Sequence, residues 1–334
     1  RGRCFFDTIY LVHLEVFMNY EEIILTENTD ELYDSWTEYR NNVTDYIIES
    51  IEHDYIMKRL RKEEKLRLYE TYNIDNMVDE NAKPVLAIIG AGGCNDIDIV
   101  KLSKYFHLVL VDNDVEKIKS ARRRFGLSEI SCTCTDMHFW EVGNDDYLMY
   151  EALLKDKAPL DEIESFINEL ILGNQVIDYS SLPKFDYSVV VGVASQLSVR
   201  FAVLAHMYGR YDELYPVIQG TNKIAVDYMM RAICKMTKHQ IIVGYELNEM
   251  SGYKTYQIDN ICRLINDENE YKLPLGNEIT VAGSDDMEHW IDAHIEEGDI
   301  RVLLHRALVW DFSYEKKYLM LLLTFNNIEN MKKT

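Results

Sequence analysis

Residues 84–96 read Pro-Val-Leu-Ala-Ile-Ile-Gly-Ala-Gly-Gly-Cys-Asn-Asp; a helix-like stretch follows, and residues 108–114 read Leu-Val-Leu-Val-Asp-Asn-Asp. Each apolar run is too short for a helix and is closed by a turn residue or an acid, which predicts two buried strands. A helical connection between them requires a parallel pair, because parallel strands need a crossover. Asp112 ends the second run 22 residues after Gly90. In units of this kind glycines let the main chain approach a ligand, and a carboxylate some twenty residues on takes ribose hydroxyls. This segment therefore constrains the chain to an α/β, doubly wound sheet with a nucleoside site at its strand tips.

Three further apolar runs, Ile130–Thr133, Tyr187–Val193 and Gln240–Tyr245, are separated by helix-like segments and extend the parallel sheet. Residues 142–183 exceed what a crossover needs, and their middle, residues 160–172, is amphipathic, so an inserted helix or lid is expected. The carboxyl end differs in kind. Residues 301–312 and 317–325 are strand-like with about four residues between them, which predicts an antiparallel hairpin. Ahead of the sheet, Trp36, Tyr39, Val43, Ile47 and Ile51 recur at spacings of three and four, the mark of an amphipathic helix. The charges of residues 58–65 are read as its solvated face. The expected division is an N-terminal extension and helical cap over residues 1–80, then a Rossmann-like domain over residues 81–334. Residues 1–17 are expected to be an upstream extension with no role in the fold.

The chain has 35 basic against 57 acidic residues, a formal charge of −22, so its surface repels phosphate backbones and nucleic acid is disfavoured as a partner. The six scattered cysteines suggest no disulfide framework, and a cytoplasmic location is expected. Cys132 and Cys134 fall on one face of a strand and read as packing residues. No apolar run is long enough to span a membrane.

Two ligand classes compete for the glycine turn. A dinucleotide site needs a third glycine at position 95, where this chain has Asn95, read as a helix N-cap. Asp96 and Asp98 are expected in the first helical turn, where they compete with a pyrophosphate for the positive helix end. A ligand without phosphate, carrying an ammonium group, suits the turn better. Here the chain resembles the class I S-adenosylmethionine-dependent methyltransferases. The likeness rests on Gly90-Ala91-Gly92-Gly93 after the first strand, Asp112 after the second, Thr135-Asp136-Met137 after the third, and the closing hairpin.

The resemblance implies a mostly parallel seven-stranded sheet in the order 3-2-1-4-5-7-6 ending in an antiparallel hairpin, with S-adenosylmethionine as cofactor. It implies that Gly90, Ala91 and Gly92 face the methionine portion and that Asp112 and Asn113 take the ribose. Asp136 and Met137 border the adenine, and Ser195 and Gln196 line the rim nearest the transferred methyl. The chain departs from the family pattern at Ile88, where an acid is usual, and at Cys94, where a further glycine is usual; Asp96 stands in for the missing acid. The expected reaction is methyl transfer to a small-molecule or peptide acceptor. The alternatives are a nicotinamide- or flavin-dependent oxidoreductase and a non-catalytic S-adenosylmethionine-binding protein.

The remaining candidates carry bland readings. His289 and His294 are turned about 140° from each other on a helix, so no metal pair is expected. His206 reads as a packed histidine rather than a base. Tyr245, Tyr253 and Tyr256 follow the fifth strand, where a substrate pocket can open. No residue is singled out as a catalytic base.

Overall fold

The computed structural model describes residues 33–68, 83–137, 139, 142–173, 183–250, 252–267, 281, 283–313 and 316–327; within the first helix, side chains are described as far as residue 52 and at residue 54. The expectations for residues 1–17, for the boundary near residue 80 and for the charged face at residues 58–65 lie outside the described residues.

The seven strands are β1 (Val85–Ile89), β2 (His107–Asp112), β3 (Cys132–Asp136), β4 (Phe185–Val191), β5 (Thr237–Glu249), β6 (Ile300–Asp311) and β7 (Lys317–Asn327). They form one sheet in the order β3-β2-β1-β4-β5-β7-β6. The first five are parallel, and β7 runs antiparallel between β5 and β6. This is the order and the closing hairpin that the resemblance implied. The helices are α1 (Thr37–Leu68), α2 (Ile99–Leu102), α3 (Val115–Arg124), α4 (Asn144–Lys155), α5 (Leu160–Gly173), α6 (Val199–Met207), α7 (Tyr211–Met236), α8 (Thr255–Asp267) and α9 (Ser284–Glu296).

Both faces of the sheet are covered, which is why its strands read as continuous apolar runs rather than alternating ones. On one face Leu86, Ile88, Leu108 and Leu110 pack with Trp36, Tyr39, Val43 and Ile47 of α1 and with Ile118 of α3. On the other, Ala87, Ile89, Val109 and Val111 belong to the core that holds Val226, Met229 and Ile233 of α7 and Trp290 of α9. A third apolar cluster is purely helical. It joins Tyr147, Tyr150 and Leu154 of α4, Ile163 and Ile167 of α5, Phe201 and Leu204 of α6, and Leu214 and Ile218 of α7. The insertion expected at residues 142–183 thus carries two helices, packed on the segment that follows β4.

One strand lies later than expected. Ile130 is 87% exposed, and β3 begins at Cys132 after a turn in which the Ser131 and Cys132 amides donate to the Ser128 carbonyl. Apolar character alone misplaced it, because this edge strand is built of threonine and cysteine. Cys132 and Cys134 do share a face, both packed against the α1-side core.

Candidate active site

The tips of β1, β2 and β4 open on a cavity of about 380 Å³. Its floor comes from Ile89, Gly90 and Gly92 after β1, from Val111, Asp112 and Asn113 after β2, and from Gly192 and Val193 after β4. Met137 and Phe139 after β3, with Val142 and Tyr147 of the insertion, form one side. Lys117, Gln196, Leu197 and Arg200 complete the lining.

The glycine turn is built by backbone needs that only some residues meet. Gly90 has φ +67°, and a Cβ there would fall 2.4 Å from Val193 Cγ2, so both conformation and space exclude a side chain. Cys94 stands at φ +55°, in the left-handed region, at the position where a further glycine was expected. The Gly90 and Ala91 amides both donate to the Val111 carbonyl, which ties the turn to β2. Asp112 holds it from the same side. Its Oδ2 accepts from the Gly92 amide at 2.8 Å, and its Oδ1 accepts from the Asp114 amide at 2.9 Å. Asp114, rather than Asp112, is the N-cap of α3 and accepts from the Lys117 amide.

Six of the residues singled out in the sequence meet at this cavity: Gly90, Gly92, Asp112, Asn113, Met137 and Gln196. Ala91 instead turns into the α1-side core, and Asp136 is exposed at the end of β3. Ser195 is not in the cavity lining; it donates to Glu246 Oε1 at 3.3 Å, while Gln196 Nε2 donates to the Ser195 hydroxyl at 3.4 Å. His206 is stacked on Tyr211 at 3.7 Å, as a packed histidine. Tyr245 is buried in the α7-side core and Tyr256 is exposed; neither lines the cavity.

The glycine turn leads to a helix of a different kind from the one expected. Asp98 is the N-cap, accepting from the Lys101 amide at 2.9 Å, and α2 has a single turn. Asn95 is not a cap: its Oδ1 accepts from Arg124 and its carbonyl accepts from Arg40. Asp96 precedes the helix altogether. Burial pushes its carboxyl up to about 6, opposed by the Arg40 guanidinium and reinforced by Glu246.

Glu246 was missed in the sequence. It sits on β5, 5% exposed, and its carboxyl is also raised by burial. Its two oxygens accept from Ser195 and, at 2.5 Å, from Ser284. The available signal was period two: residues 242, 244 and 246 share one face of β5, and a lone acid closes that row. Lys117, Tyr147 and Arg200 were also missed, since neither α3, the insertion nor α6 carries a recognisable motif. Arg200 donates to Asn144 Oδ1 at 3.0 Å and lies over the Tyr147 ring at 4.2 Å, so it ties α6 to the inserted helix α4. Away from the cavity lining, His294, Glu297 and Asp299 bring one potential ligand atom each within 4.8 Å of one another.

The strand order decides the fold. It is that of the class I S-adenosylmethionine-dependent methyltransferases. No protein-family model matches the chain, and no curated protein does. Solved structures similar to it include a magnesium protoporphyrin IX methyltransferase from Synechocystis PCC 6803 with bound S-adenosylhomocysteine (9% identity, 75% of this chain and 77% of that one, TM-score 0.36). A methyltransferase from Methanosarcina mazei is similar at 10% identity, over 74% of this chain and 93% of that one, with TM-score 0.37. A complex of LepI with S-adenosylmethionine is similar at 6% identity, over 76% and 45%, with TM-score 0.34. Among the described residues no helix is long and apolar enough to cross a membrane.

Proposed function

We propose that the protein binds S-adenosylmethionine in this cavity and transfers its methyl group to a small-molecule or peptide acceptor. One observation carries the reading: the glycine turn and the Asp112 carboxylate face the same cavity, and Gly90 there has no room for a Cβ. A volume near 380 Å³ is in the ordinary range of ligand sites, ~300–1,000 Å³. Each Asp112 oxygen accepts one backbone amide, and a carboxylate has about four acceptor positions, so both oxygens keep capacity for ribose hydroxyls. Asn113 stands beside it, and Val111, Met137, Phe139 and Leu197 offer the apolar walls a purine needs. When bound, the ligand supplies an activated methyl carbon. The chain's own residues align it, fix the ribose and exclude water, which is the main help that an in-line displacement requires.

Lys117 and Arg200 give the cavity two cationic side chains, the feature that best suits a phosphorylated cofactor such as a nicotinamide dinucleotide. A pyrophosphate rests on the amino terminus of a helix long enough to have a dipole. After this turn it would meet a one-turn helix already capped by Asp98, with Asp96 beside it. The phosphate-free ligand is favoured for that reason.

Thermal denaturation with S-adenosylmethionine, S-adenosylhomocysteine and NAD separates the readings. A ligand at a hundred times its Kd adds ~2.7 kcal/mol, seen as a rise of a few degrees for a chain of this size. Stabilisation by NAD alone overturns the proposal. Binding of the methyl donor without turnover on any acceptor marks a binding protein.

A further inference from the structure

The cavity lining reaches the tip of β4, and the next strand tip, that of β5, carries Glu246. Gly192 lines the cavity, and the Glu246 Oε1 atom lies 3.8 Å from where a Cβ of Gly192 would stand. Behind the Gly192 wall of the cavity, on the β5 side, stands a buried carboxylate. Glu246 shares its face of the strand with Ile242, which packs in the α1-side core, and Ser195 and Ser284 hold its two oxygens.

Three polar groups from three elements converge there. Glu246 comes from β5, Asp96 from the segment after the glycine turn, and Tyr39 from α1. The charge of Glu246 raises the Asp96 carboxyl, and both carboxylates raise the Tyr39 hydroxyl, whose largest cause is burial. Tyr39 is 3% exposed, and its hydroxyl has no hydrogen-bond partner among the described residues. The Nε1 of Trp310, whose ring stacks on Tyr39 at 4.9 Å, is likewise buried without a partner. Buried polar groups are nearly always satisfied, and an orphan hydroxyl at such a buried position is expensive unless a ligand completes it. The charges are also unbalanced. Arg40, held by the Tyr33 and Asn95 carbonyls, acts on Asp96, whereas the groups acting on Glu246 are two serine hydroxyls and its own backbone.

We propose that Glu246, with Asp96 and the Tyr39 hydroxyl, recognises the ammonium group of an amine acceptor, which makes the protein an amine N-methyltransferase. The inference rests on the methyl-transfer reading above. An ammonium supplies a positive charge for Glu246 and donors for the carboxylates and the tyrosine oxygen. The Glu246 carboxylate takes one proton from the R–NH3+ group, leaving R–NH2 with a free lone pair. That nitrogen attacks the methyl carbon of the sulfonium donor; the N–C bond forms as the C–S bond breaks, and its electron pair stays on sulfur as a neutral thioether. The product is R–NH2+–CH3, and the positive charge has moved from sulfur to nitrogen. A carboxyl made more basic by burial is better matched to this proton transfer than an exposed one.

Calorimetric titration tests this without relying on turnover. Phenethylamine, spermidine and a lysine-containing pentapeptide are each compared with their alcohol or N-acetyl counterparts, with and without S-adenosylhomocysteine. The expected result is that at least one amine binds ten-fold or more tighter than its uncharged counterpart. Glu246→Gln should lose that preference while binding S-adenosylhomocysteine within three-fold of the parent. Tyr39→Phe leaves no unpartnered group behind, so it should fold normally and weaken the amine three- to ten-fold. Equal binding of amines and neutral counterparts overturns the inference. So does a Glu246→Gln variant that loses the nucleoside and not the amine, since the carboxylate then serves the donor's own amino-acid tail. Amine binding that survives when S-adenosylhomocysteine does not bind at all sinks the methyl-transfer reading and keeps the ammonium site.

Discussion

At the scale of single residues, Gly90 and Gly92 look alike in the sequence and differ in what they tolerate. Both have positive φ, but a Cβ on Gly90 strikes Val193 at 2.4 Å, whereas on Gly92 its nearest neighbour is 3.9 Å away. Gly92→Ala should cost about 1–2 kcal/mol, the price of the left-handed backbone alone. Gly90→Ala adds overpacking against a stiff β-branched side chain, for a total of about 2–5 kcal/mol. Urea denaturation of the two variants measures the difference, and equal losses would show that Val193 yields. Asp112→Ala removes both the anchor of the Gly92 amide and the proposed ribose acceptor. Hydrogen bonds to a charged group contribute roughly 1.5–3 kcal/mol, so nucleoside affinity should fall about ten- to 150-fold by titration calorimetry.

Asp96 contributes a pH dependence of its own. Its carboxyl ordinarily titrates near 3.8 and is pushed up to about 6 in the fold. The protonated form is the one the fold prefers, so this group costs nothing below about pH 4 and its cost grows as pH rises through 6. Above both values the cost is on the order of 2–3 kcal/mol. Asp96→Asn should therefore raise Tm relative to the parent at pH 7.5 and lose that advantage at pH 4. A Tm difference independent of pH would place the carboxylate in contact with water. Neither the desolvation of the Asp96 carboxyl nor the buried Glu246 was legible in the sequence, because an acid declares its charge but not its depth.

At the scale of elements, most of the sheet could be read directly. The runs 85–89 and 108–111 are apolar because both faces of those strands are covered, and the glycine turn follows from the left-handed backbone it needs. The failures have physical causes. In β3 the residues that pack are cysteines and threonines, weak in any hydrophobic profile, while the apolar Ile130 is spent on a turn. In β5 the strand continues to Glu249 because β7 pairs with it that far, and pairing with a distant hairpin leaves no local trace. The one-turn α2 was hidden for the opposite reason. Asn95, Asp96 and Asp98 all resemble caps, and only the tertiary contacts of Arg40 and Arg124 with Asn95 decide among them. The helix α1 was legible as amphipathic, but its partner was not: Tyr39 stacks on Trp310, and Trp36 Nε1 donates to the Phe312 carbonyl 276 residues away. Trp310→Ala should cost about 3–5 kcal/mol through loss of that stack and the cavity left behind, by urea denaturation. A loss under 1 kcal/mol would mean that α1 contributes little to the fold.

At the scale of the whole molecule, the cavity lies between two bodies with separate cores. The sheet supplies the floor through Gly90, Asp112 and Gly192, and the helical cluster of α4, α5, α6 and α7 supplies Val142, Tyr147 and Arg200 around the rim. Arg200 links the two helices of the rim, donating to Asn144 and covering Tyr147. Val226, Met229 and Ile233 hold α7 on the sheet, so α4, α5 and α6 are the part that can open without exposing it, since stability is local before it is global. A ligand seated in the cavity contacts both bodies and so favours the closed state by as much as it prefers that state. Hydrogen exchange should then slow on binding of S-adenosylhomocysteine over residues 142–155 and 197–207, as well as at the strand tips, while amides in the centre of β7 stay unchanged. Arg200→Ala should speed exchange in α4 in the free protein and narrow the difference between free and bound. Protection confined to the glycine turn and Asp112 would mean that the sheet binds the ligand alone and that the insertion is a fixed wall.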